Sequence, residues 1–175
     1  NGCMDSLTQT ITVLPVPVAD FVSPPTCTNA DVLFNDLSTS VSPLTTWNWN
    51  FGDNTSSTLQ SPSHFYTNAS VINYNITLIV TAANGCKDTV VKPITRLEVP
   101  VADFTLQPSC PLTPASFFDQ TTFPSGSLSS WNWNFGDSSS ASVQNPFHTF
   151  PSDSAYIVTL IVQGNNGCRD TIAKN

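Results

Sequence analysis

The chain has 175 residues, of which 39% are hydrophobic and 10% are charged, and its formal net charge is −7. Its five basic residues are too few to neutralise a run of phosphates, so the sequence argues against a nucleic-acid partner. An aromatic content of 10% argues against a disordered chain. No apolar run approaches the roughly 18 residues that a membrane span requires.

Uncharged polar residues dominate the composition, with 22 Ser, 22 Thr and 16 Asn. Intracellular domains more often rely on charged side chains, at about 25% of their residues. Together with 14 Pro and 5 Cys, this composition predicts an exported protein, either secreted or held at the cell surface. The same residues disfavour helices, because Ser, Asn and Asp side chains compete for backbone hydrogen bonds.

An internal repeat of about 83 residues organises the chain. Residues 47–53 (Trp-Asn-Trp-Asn-Phe-Gly-Asp) recur letter for letter at 131–137, and residues 18–21 (Val-Ala-Asp-Phe) recur at 101–104. The opening Asn-Gly-Cys is a partial third copy, since the same three residues stand at 84–86 and 166–168. We therefore expect three parts: 1–15, the end of a truncated preceding repeat; 16–98, the first domain; and 99–175, the second domain with its last strand truncated.

The five cysteines fit this division. Each full repeat carries two of them at equivalent positions, so we expect the disulfides Cys27–Cys86 and Cys110–Cys168. Each bond would close a loop inside one repeat and contribute about 4 kcal/mol in the chain-entropy account. Cys3 is then left unpaired, because its partner would belong to the truncated repeat.

Apolar residues alternate with polar ones along the chain, which is typical of strands buried on one face. The predicted strands lie at 17–22, 31–36, 45–51, 57–60, 63–67, 73–82 and 87–97. Seven short strands separated by turns predict a two-sheet β-sandwich in each repeat. The predicted core motif consists of Trp49, Phe51 and Tyr74, and of Trp133, Phe135 and Tyr156 in the second repeat. Prolines in the short connection before each repeat predict stiff, extended joints.

These motifs together resemble the PKD (polycystic kidney disease) domain. The resemblance rests on Trp-x-Phe-Gly-Asp at 49–53, Pro-x-His-x-aromatic at 62–66 and the alternating strand at 74–80, each of which recurs in the second repeat. It implies an all-β fold of two tandem immunoglobulin-like, seven-stranded antiparallel β-sandwiches, and an extracellular array. The last Gly of the usual motif is replaced here by Asn54 and Ser138. The cysteine-bearing, Thr-rich copies also resemble surface adhesins of gliding Bacteroidetes-type bacteria.

The two histidines are the candidates for catalytic residues. His64 and His148 occupy one equivalent position in two domains, so they are expected to be structural, each satisfying a polar group beside the Trp motif. No cysteine remains to act as a nucleophile. The sequence therefore predicts a protein that is not an enzyme and has no catalytic residue.

No cofactor or metal is expected, and calcium is the alternative left open. The aspartates that recur near the domain joint and after the Trp strand could supply oxygen ligands: Asp20, Asp103, Asp53 and Asp137. The competing interpretation is that they cap turns. Trp47 and Trp131 are candidates for stacking on sugars, although the alternation places them inward. Four Asp-Ser/Thr-apolar sequences resemble a bacterial O-glycosylation signal, with acceptors at Ser6, Thr89, Ser154 and Thr171.

The sequence is compatible with three functions. The first is a stiff spacer or filament-building unit of a large adhesin-like protein, with neighbouring PKD-like repeats as partners. The second is a substrate-docking module of a secreted hydrolase, which would bind an extracellular glycan or protein surface. The third is a homo-polymer in which residues 1–15 of one subunit complete the truncated second domain of another.

Overall fold

The computed structural model describes residues 5, 7–70, 72–107, 110 and 112–175. Every regular element in this part of the chain is a β-strand. The first nine strands are β1 (Phe21–Val22), β2 (Thr26–Cys27), β3 (Val32–Leu33), β4 (Asn35–Asp36), β5 (Leu44–Asn50), β6 (Ser56–Ser57), β7 (Ser63–His64), β8 (Asn73–Ala82) and β9 (Lys87–Leu97). The others are β10 (Phe104–Gln107), β11 (Ala115–Asp119), β12 (Leu128–Asn134), β13 (Ser140–Ala141), β14 (Phe147–His148), β15 (Val158–Gly164) and β16 (Arg169–Lys174). The prediction of an all-β protein is confirmed.

The chain divides into two compact units, and each of them is built from three segments. Unit 1 comprises Asn1–Pro24, Asp31–Tyr66 and Asn73–Ile94, whereas unit 2 comprises Pro25–Ala30, Thr67–Ile72 and Thr95–Asn175. Two short segments of the first sequence repeat, 25–30 and 67–72, therefore pack as parts of unit 2. No sequence pattern had pointed to this exchange.

In unit 1, the Trp-containing strand β5 lies between β6 and β8, and both pairings are antiparallel. Strand β9 follows β8 in the same sheet. The register places Trp49 opposite Leu78 and Trp47 opposite Val80. The other short strands pair antiparallel, β1 with β4 and β3 with β7. Side chains from these two sets of strands meet in one core, as in a β-sandwich.

The core of unit 1 is aromatic, and the alternation of the strands explains its composition. Trp49 is buried and contacts Phe21 and Phe34 at ring-centroid distances of 5.2 and 5.5 Å. Its indole N–H donates to the carbonyl of Leu59 at 2.9 Å, so burial leaves no polar atom of the ring unsatisfied. From β8, every second residue is buried against these rings: Tyr74, Ile76, Leu78, Val80 and Ala82. The burial predicted for Trp49, Phe51 and Tyr74 is observed.

Unit 2 repeats this plan around Trp133 and Phe135. Strand β12 lies between β13 and β15, β16 follows β15, and a second sheet has the order β10-β11-β14. Trp133 is opposite Leu160, the counterpart of the Trp49–Leu78 pair. Tyr156 departs from the prediction, because it is only half-buried and precedes the strand, which starts at Val158. The loop before it is two residues shorter than in the first repeat, and its hydroxyl lies 2.9 Å from that of Ser152.

The disulfide pattern corrects the sequence-based pairing. Within unit 2, Cys27 is bonded to Cys168, with their Cα atoms 5.8 Å apart, while Cys86 and Cys110 are free thiols. The predicted pairs Cys27–Cys86 and Cys110–Cys168 were wrong. They assumed that each repeat closes on itself, whereas the segment that carries Cys27 packs in unit 2. Cys3 lies outside the described residues.

Within the described part of the chain, no helix has the length and apolarity that a bilayer crossing requires.

The core assignment predicts that replacing two leucines of unit 1 by alanine has very different effects on the free energy of unfolding. Leu78→Ala removes a fully buried side chain that lies opposite Trp49 on the adjacent strand, so we expect a loss of about 3 kcal/mol in the free energy of unfolding. Leu59→Ala trims a side chain that is 66% exposed, and we expect less than about 0.5 kcal/mol. Urea denaturation of both variants measures the difference, and equal losses would contradict the core assignment.

Candidate functional site

In each repeat, the turn that follows the Trp strand brings together a carboxylate, an imidazole and a hydroxyl group. In the first repeat, Gly52 has φ of +80° and Asn54 has φ of +69°, both in the left-handed region. A Cβ at Gly52 would stand 2.8 Å from the carbonyl oxygen of Asn75, so glycine is required by space as well as by φ. Asn54 and Ser138 replace a glycine of the usual motif, and both keep a positive φ. Asn tolerates this conformation better than most residues.

An aspartate, a histidine and a hydroxyl meet at this turn. Asp53 Oδ2 lies 2.7 Å from His64 Nε2, and Asp53 Oδ1 accepts hydrogen bonds from the Thr55 amide (3.0 Å) and hydroxyl (2.5 Å). The Thr55 hydroxyl is also 3.2 Å from His64 Nε2. The imidazole stacks on Phe51, with ring centroids 4.3 Å apart and an interplanar angle of 5°. Tyr66 meets its edge at 4.4 Å.

The second repeat contains the same cluster with Ser139 in place of Thr55. His148 Nε2 lies 2.7 Å from Asp137 Oδ2 and 3.2 Å from the Ser139 hydroxyl, which also donates to Asp137 Oδ1. The imidazole stacks on Phe135 at 4.1 Å. The structure therefore brings each predicted histidine to the polar group beside the Trp motif that the sequence led us to expect.

The composition of the cluster is that of a hydrolase triad, but its geometry is different. In a triad, the acid binds one ring nitrogen and the hydroxyl meets the other, so that the imidazole can take the hydroxyl proton. Here the carboxylate and the hydroxyl share the same atom, His148 Nε2, and the hydroxyl donates its proton toward Asp137. This arrangement fixes the turn against the strand carrying the histidine. It does not direct a base at a nucleophile.

Hydrogen bonding controls the ionisation of the two aspartates. For Asp137, the hydrogen bond from Ser139 is the largest influence; with further bonds from His148 and the Ser139 amide it outweighs burial and lowers the pKa from 3.8 to about 2. For Asp53, burial is the largest single influence on the pKa, and it raises the pKa by favouring the neutral acid. The hydrogen bonds from Thr55 and His64 together outweigh burial, so the pKa is lowered overall. Both carboxylates are therefore held in the ionised form.

The other recurring aspartates are paired with lysines. Asp20 binds Lys92 and Asp103 binds Lys174, and each lysine also donates to the backbone carbonyl of the phenylalanine that follows the aspartate. The hydrogen bond from the lysine is the main cause that lowers the pKa of each carboxyl. No group of three or more potential metal-ligating side chains occurs among the described residues. The calcium alternative therefore finds no ligand set in that part of the chain.

Trp47 and Trp131 are half-buried and pack against the two cores. Their indole N–H groups donate to Asp36 Oδ2 at 2.7 Å and to Asp119 Oδ2 at 2.8 Å. Sequence reasoning missed these two aspartates, although they recur at the repeat spacing of 83. Recurrence of an acid without a recognised motif was the signal that could have revealed them.

Three of the four O-glycosylation candidates are exposed: Thr89, Ser154 and Thr171. Ser6 lies outside the described residues. The aspartates of the signal at Thr89 and Thr171 have a structural role, since Asp88 Oδ2 accepts from the Ala19 amide and Asp170 Oδ2 from the Ala102 amide, both at 2.8 Å. Their recurrence is thus explained without glycosylation, and modification of the acceptors stays a prediction.

Two units with buried Trp-x-Phe strands, each packed against a second set of strands, place the protein among tandem immunoglobulin-like β-sandwiches. The family model for the PKD domain matches residues 15–96 and again residues 98–175. The chain belongs to the PKD domain family and carries two tandem copies of the domain.

Solved structures of similar proteins include two PKD domains. The PKD1 domain of Vibrio anguillarum Epp is 29% identical over 43% of this chain and 88% of its own, with a TM-score of 0.41. The PKD1 domain from the Vibrio cholerae metalloprotease PrtV is 29% identical over 46% of this chain and 96% of its own, with a TM-score of 0.42. The fibronectin(III)-like modules of Clostridium thermocellum CbhA are 12% identical over 89% of this chain and 92% of theirs, with a TM-score of 0.42.

Substituting two glycines of the second repeat distinguishes the energetic cost of a positive φ from the cost of a steric clash. Gly136 and Gly167 both have positive φ, but only Gly136 lies so close to another backbone that a Cβ would stand 2.7 Å from the Ile157 carbonyl oxygen. We expect Gly167→Ala to cost about 1 kcal/mol and Gly136→Ala at least about 1 kcal/mol more. Thermal and urea unfolding measure both losses, and equal losses would show that the close approach is unimportant.

The ionised Asp137 predicts a defined pH dependence. Folding lowers the pKa of Asp137. Its contribution to the free energy of unfolding is therefore complete above pH 3.8 and is lost as the pH falls through about 2. We expect Asp137→Asn to destabilise the protein by on the order of 1–2 kcal/mol at pH 6, and by progressively less toward pH 2. Urea denaturation across this range measures the difference, with Asp153→Asn on an exposed loop as the control. A difference that stays constant with pH would refute the assignment.

Proposed function

We propose that the chain is a non-catalytic extracellular module, acting as a stiff spacer or filament-building unit of a large surface or secreted adhesin-like protein. The building block in this proposal is the repeat, at 16–98 and 99–175. The observation that carries it is the sharing of segments: residues 25–30 and 67–72 of the first repeat pack in unit 2, where Cys27 is bonded to Cys168.

The two segments of the first repeat that pack in unit 2 favour a stiff spacer, because the chain then connects the units at several points. Domains in tandem proteins ordinarily move relative to one another, because a single flexible linker joins them. Here the chain passes between unit 1 and unit 2 five times, after residues 24, 30, 66, 72 and 94. A disulfide then holds one of the exchanged segments in place. Motion about one linker would have to distort these other connections as well.

The chemistry of the site agrees with a mechanical role. The acid, imidazole and hydroxyl groups are bonded to one another and fix a turn, and the recurring Asp–Lys pairs join strands. The runner-up function, docking of a hydrolase substrate, calls for an open aromatic platform. Trp47 and Trp131, the candidates for it, pack against the cores and have their N–H groups occupied.

Spin-label distance measurements test the proposal. With Cys3, Cys86 and Cys110 replaced by Ser, labels are attached at Val41→Cys and Val143→Cys, which are exposed in unit 1 and unit 2 respectively. Val41→Cys with Leu59→Cys, both in unit 1, gives the width that is due to the labels alone. A stiff spacer should give one distance peak at most about 1.5 times as wide as this control, against a broad distribution for units on a free linker. A broad or multiple distribution would overturn the proposal.

A further inference from the structure

The large sheet of unit 2 turns a row of uncharged side chains toward solvent. The row lies on the face opposite the core and crosses strands β12, β15 and β16. Asn132 lies opposite Ile161, and Ile161 lies opposite Thr171. All three residues are exposed. Since neighbouring strands are about 4.8 Å apart, this row is about 10 Å long.

Unit 1 carries the same row with identical residues. Asn48 lies opposite Ile79, and Thr89 on β9 stands at the repeat position of Thr171. The outward positions on either side of the row are also alike in the two repeats: Asn50 and Asn134, Thr77 and Thr159, Thr46 and Ser130, Lys87 and Arg169, Val91 and Ala173. Among them, only Thr81 is replaced by a clearly larger residue, Gln163.

The outward face of the small sheet shows that this identity is more than a trace of duplication. In unit 2 that sheet is β10-β11-β14, and its counterpart in unit 1 consists of β1, β3, β4 and β7. Five outward-facing positions exchange an apolar residue for a polar one, or the reverse: Val22 and Thr105, Leu33 and Ser116, Asn35 and Phe118, Ser63 and Phe147, Phe65 and Thr149. Both faces come from one duplicated sequence, so the identity of the large-sheet face calls for a separate reason.

The fold accounts for part of this identity but not for the row itself. Asn50 Oδ1 accepts a hydrogen bond from the Gly52 amide at 2.8 Å, and the second repeat has the same bond, so this asparagine stabilises the turn. Within the described part of the chain, the side chains of Asn48 and Asn132 form no hydrogen bond, and neither does the Thr171 hydroxyl. Their polar groups are available to a ligand.

The chemistry of the row indicates a neutral ligand that is rich in hydroxyl groups. A side-chain amide and a hydroxyl can each donate and accept hydrogen bonds, as the hydroxyl groups of a sugar do. Ile161 is 37% exposed between them and offers an apolar surface to the C–H face of a sugar ring. The nearest cation of this face, Arg169, is occupied by Gln163 Oε1 at 3.2 Å. Protein interfaces, in contrast, are enriched in aromatic residues and depleted in Ser.

We propose that the rows Asn48–Ile79–Thr89 and Asn132–Ile161–Thr171 are two equivalent binding sites for a neutral polysaccharide. A row about 10 Å long can contact two successive sugar rings. No aromatic ring belongs to either row, so hydrogen bonds to the amide and hydroxyl groups orient the sugar. These sites lie on a different face from the indole rings of Trp47 and Trp131, and they do not depend on the spacer function.

Affinity electrophoresis of the full 175-residue chain tests the proposal. Native gels contain one of four neutral polysaccharides (hydroxyethyl cellulose, xyloglucan, laminarin or mannan), and a gel with alginate is the anionic control. Intact mass confirms beforehand that Thr89 and Thr171 carry no sugar, which would itself occupy the rows. At least one neutral polymer should retard the chain, whereas alginate should not. Failure of all four neutral polymers, or equal retardation by alginate, would overturn the proposal.

Substitutions in the rows locate the binding. Asn48→Ala or Asn132→Ala alone should lower the apparent association constant about twofold, because one of two equivalent sites remains, and the double variant should lose retardation. The matched control is Leu33→Ser with Phe118→Ala on the small-sheet face, which should bind like the unchanged chain. Urea unfolding midpoints show that every variant is folded.

Two results of the variant series would refute the sites. The first is a folded double Asn variant that is retarded as strongly as the unchanged chain. The second is loss of binding in the small-sheet control. Sedimentation velocity covers the competing occupant, a second copy of the chain. If the unchanged chain self-associates, binds no polysaccharide, and becomes monomeric in the double Asn variant, the rows are a protein contact and the polysaccharide proposal is wrong.

Discussion

The burial of one face of the Trp strand is the constraint on which each unit depends. Side chains alternate across a strand, so Trp49 and Phe51 can both be buried only if Asn50, between them, faces outward. Trp49 then lies opposite Leu78, and its counterpart Trp133 lies opposite Leu160. A shift of register by one residue would expose both aromatic rings and bury asparagines. The core therefore fixes the register, and the register fixes where the following turn begins.

The turn after this strand shows how a core position creates what looks like a chemical site. Phe51 ends the buried face, and His64 stacks on it from the neighbouring set of strands. Because the imidazole is half-buried, it needs a polar partner, and Asp53 supplies one from the turn. Thr55 and Ser139 in turn satisfy the second oxygen of each carboxylate. Each group in the cluster is thus accounted for by the burial of its neighbour.

The sequence was most informative where the repeat and the alternation gave the same answer. The burial of Trp49, Phe51, Trp133 and Phe135 follows from period two, and it is observed. Asp36 and Asp119 were missed because no local pattern connects an acid to an indole several residues further along the chain. Tyr156 was misplaced because equivalence between repeats holds only where the preceding loops have equal length. Local patterns identify strands and turns, whereas contacts between distant segments depend on packing.

The cysteines illustrate the same limit in energetic terms. Repeat symmetry permits pairing within a repeat, Cys27 with Cys86, or between successive repeats, Cys27 with Cys168, and both use equivalent positions. The loops would span 59 and 141 residues, and loop-closure entropy distinguishes them by only about 1 kcal/mol. The choice therefore depends on where the segment 25–30 packs, and it packs beside Arg96 and Leu97 in unit 2. A disulfide joining successive repeats leaves Cys86 and Cys110 free for the same reason, since each would find its counterpart only in a further copy of the repeat.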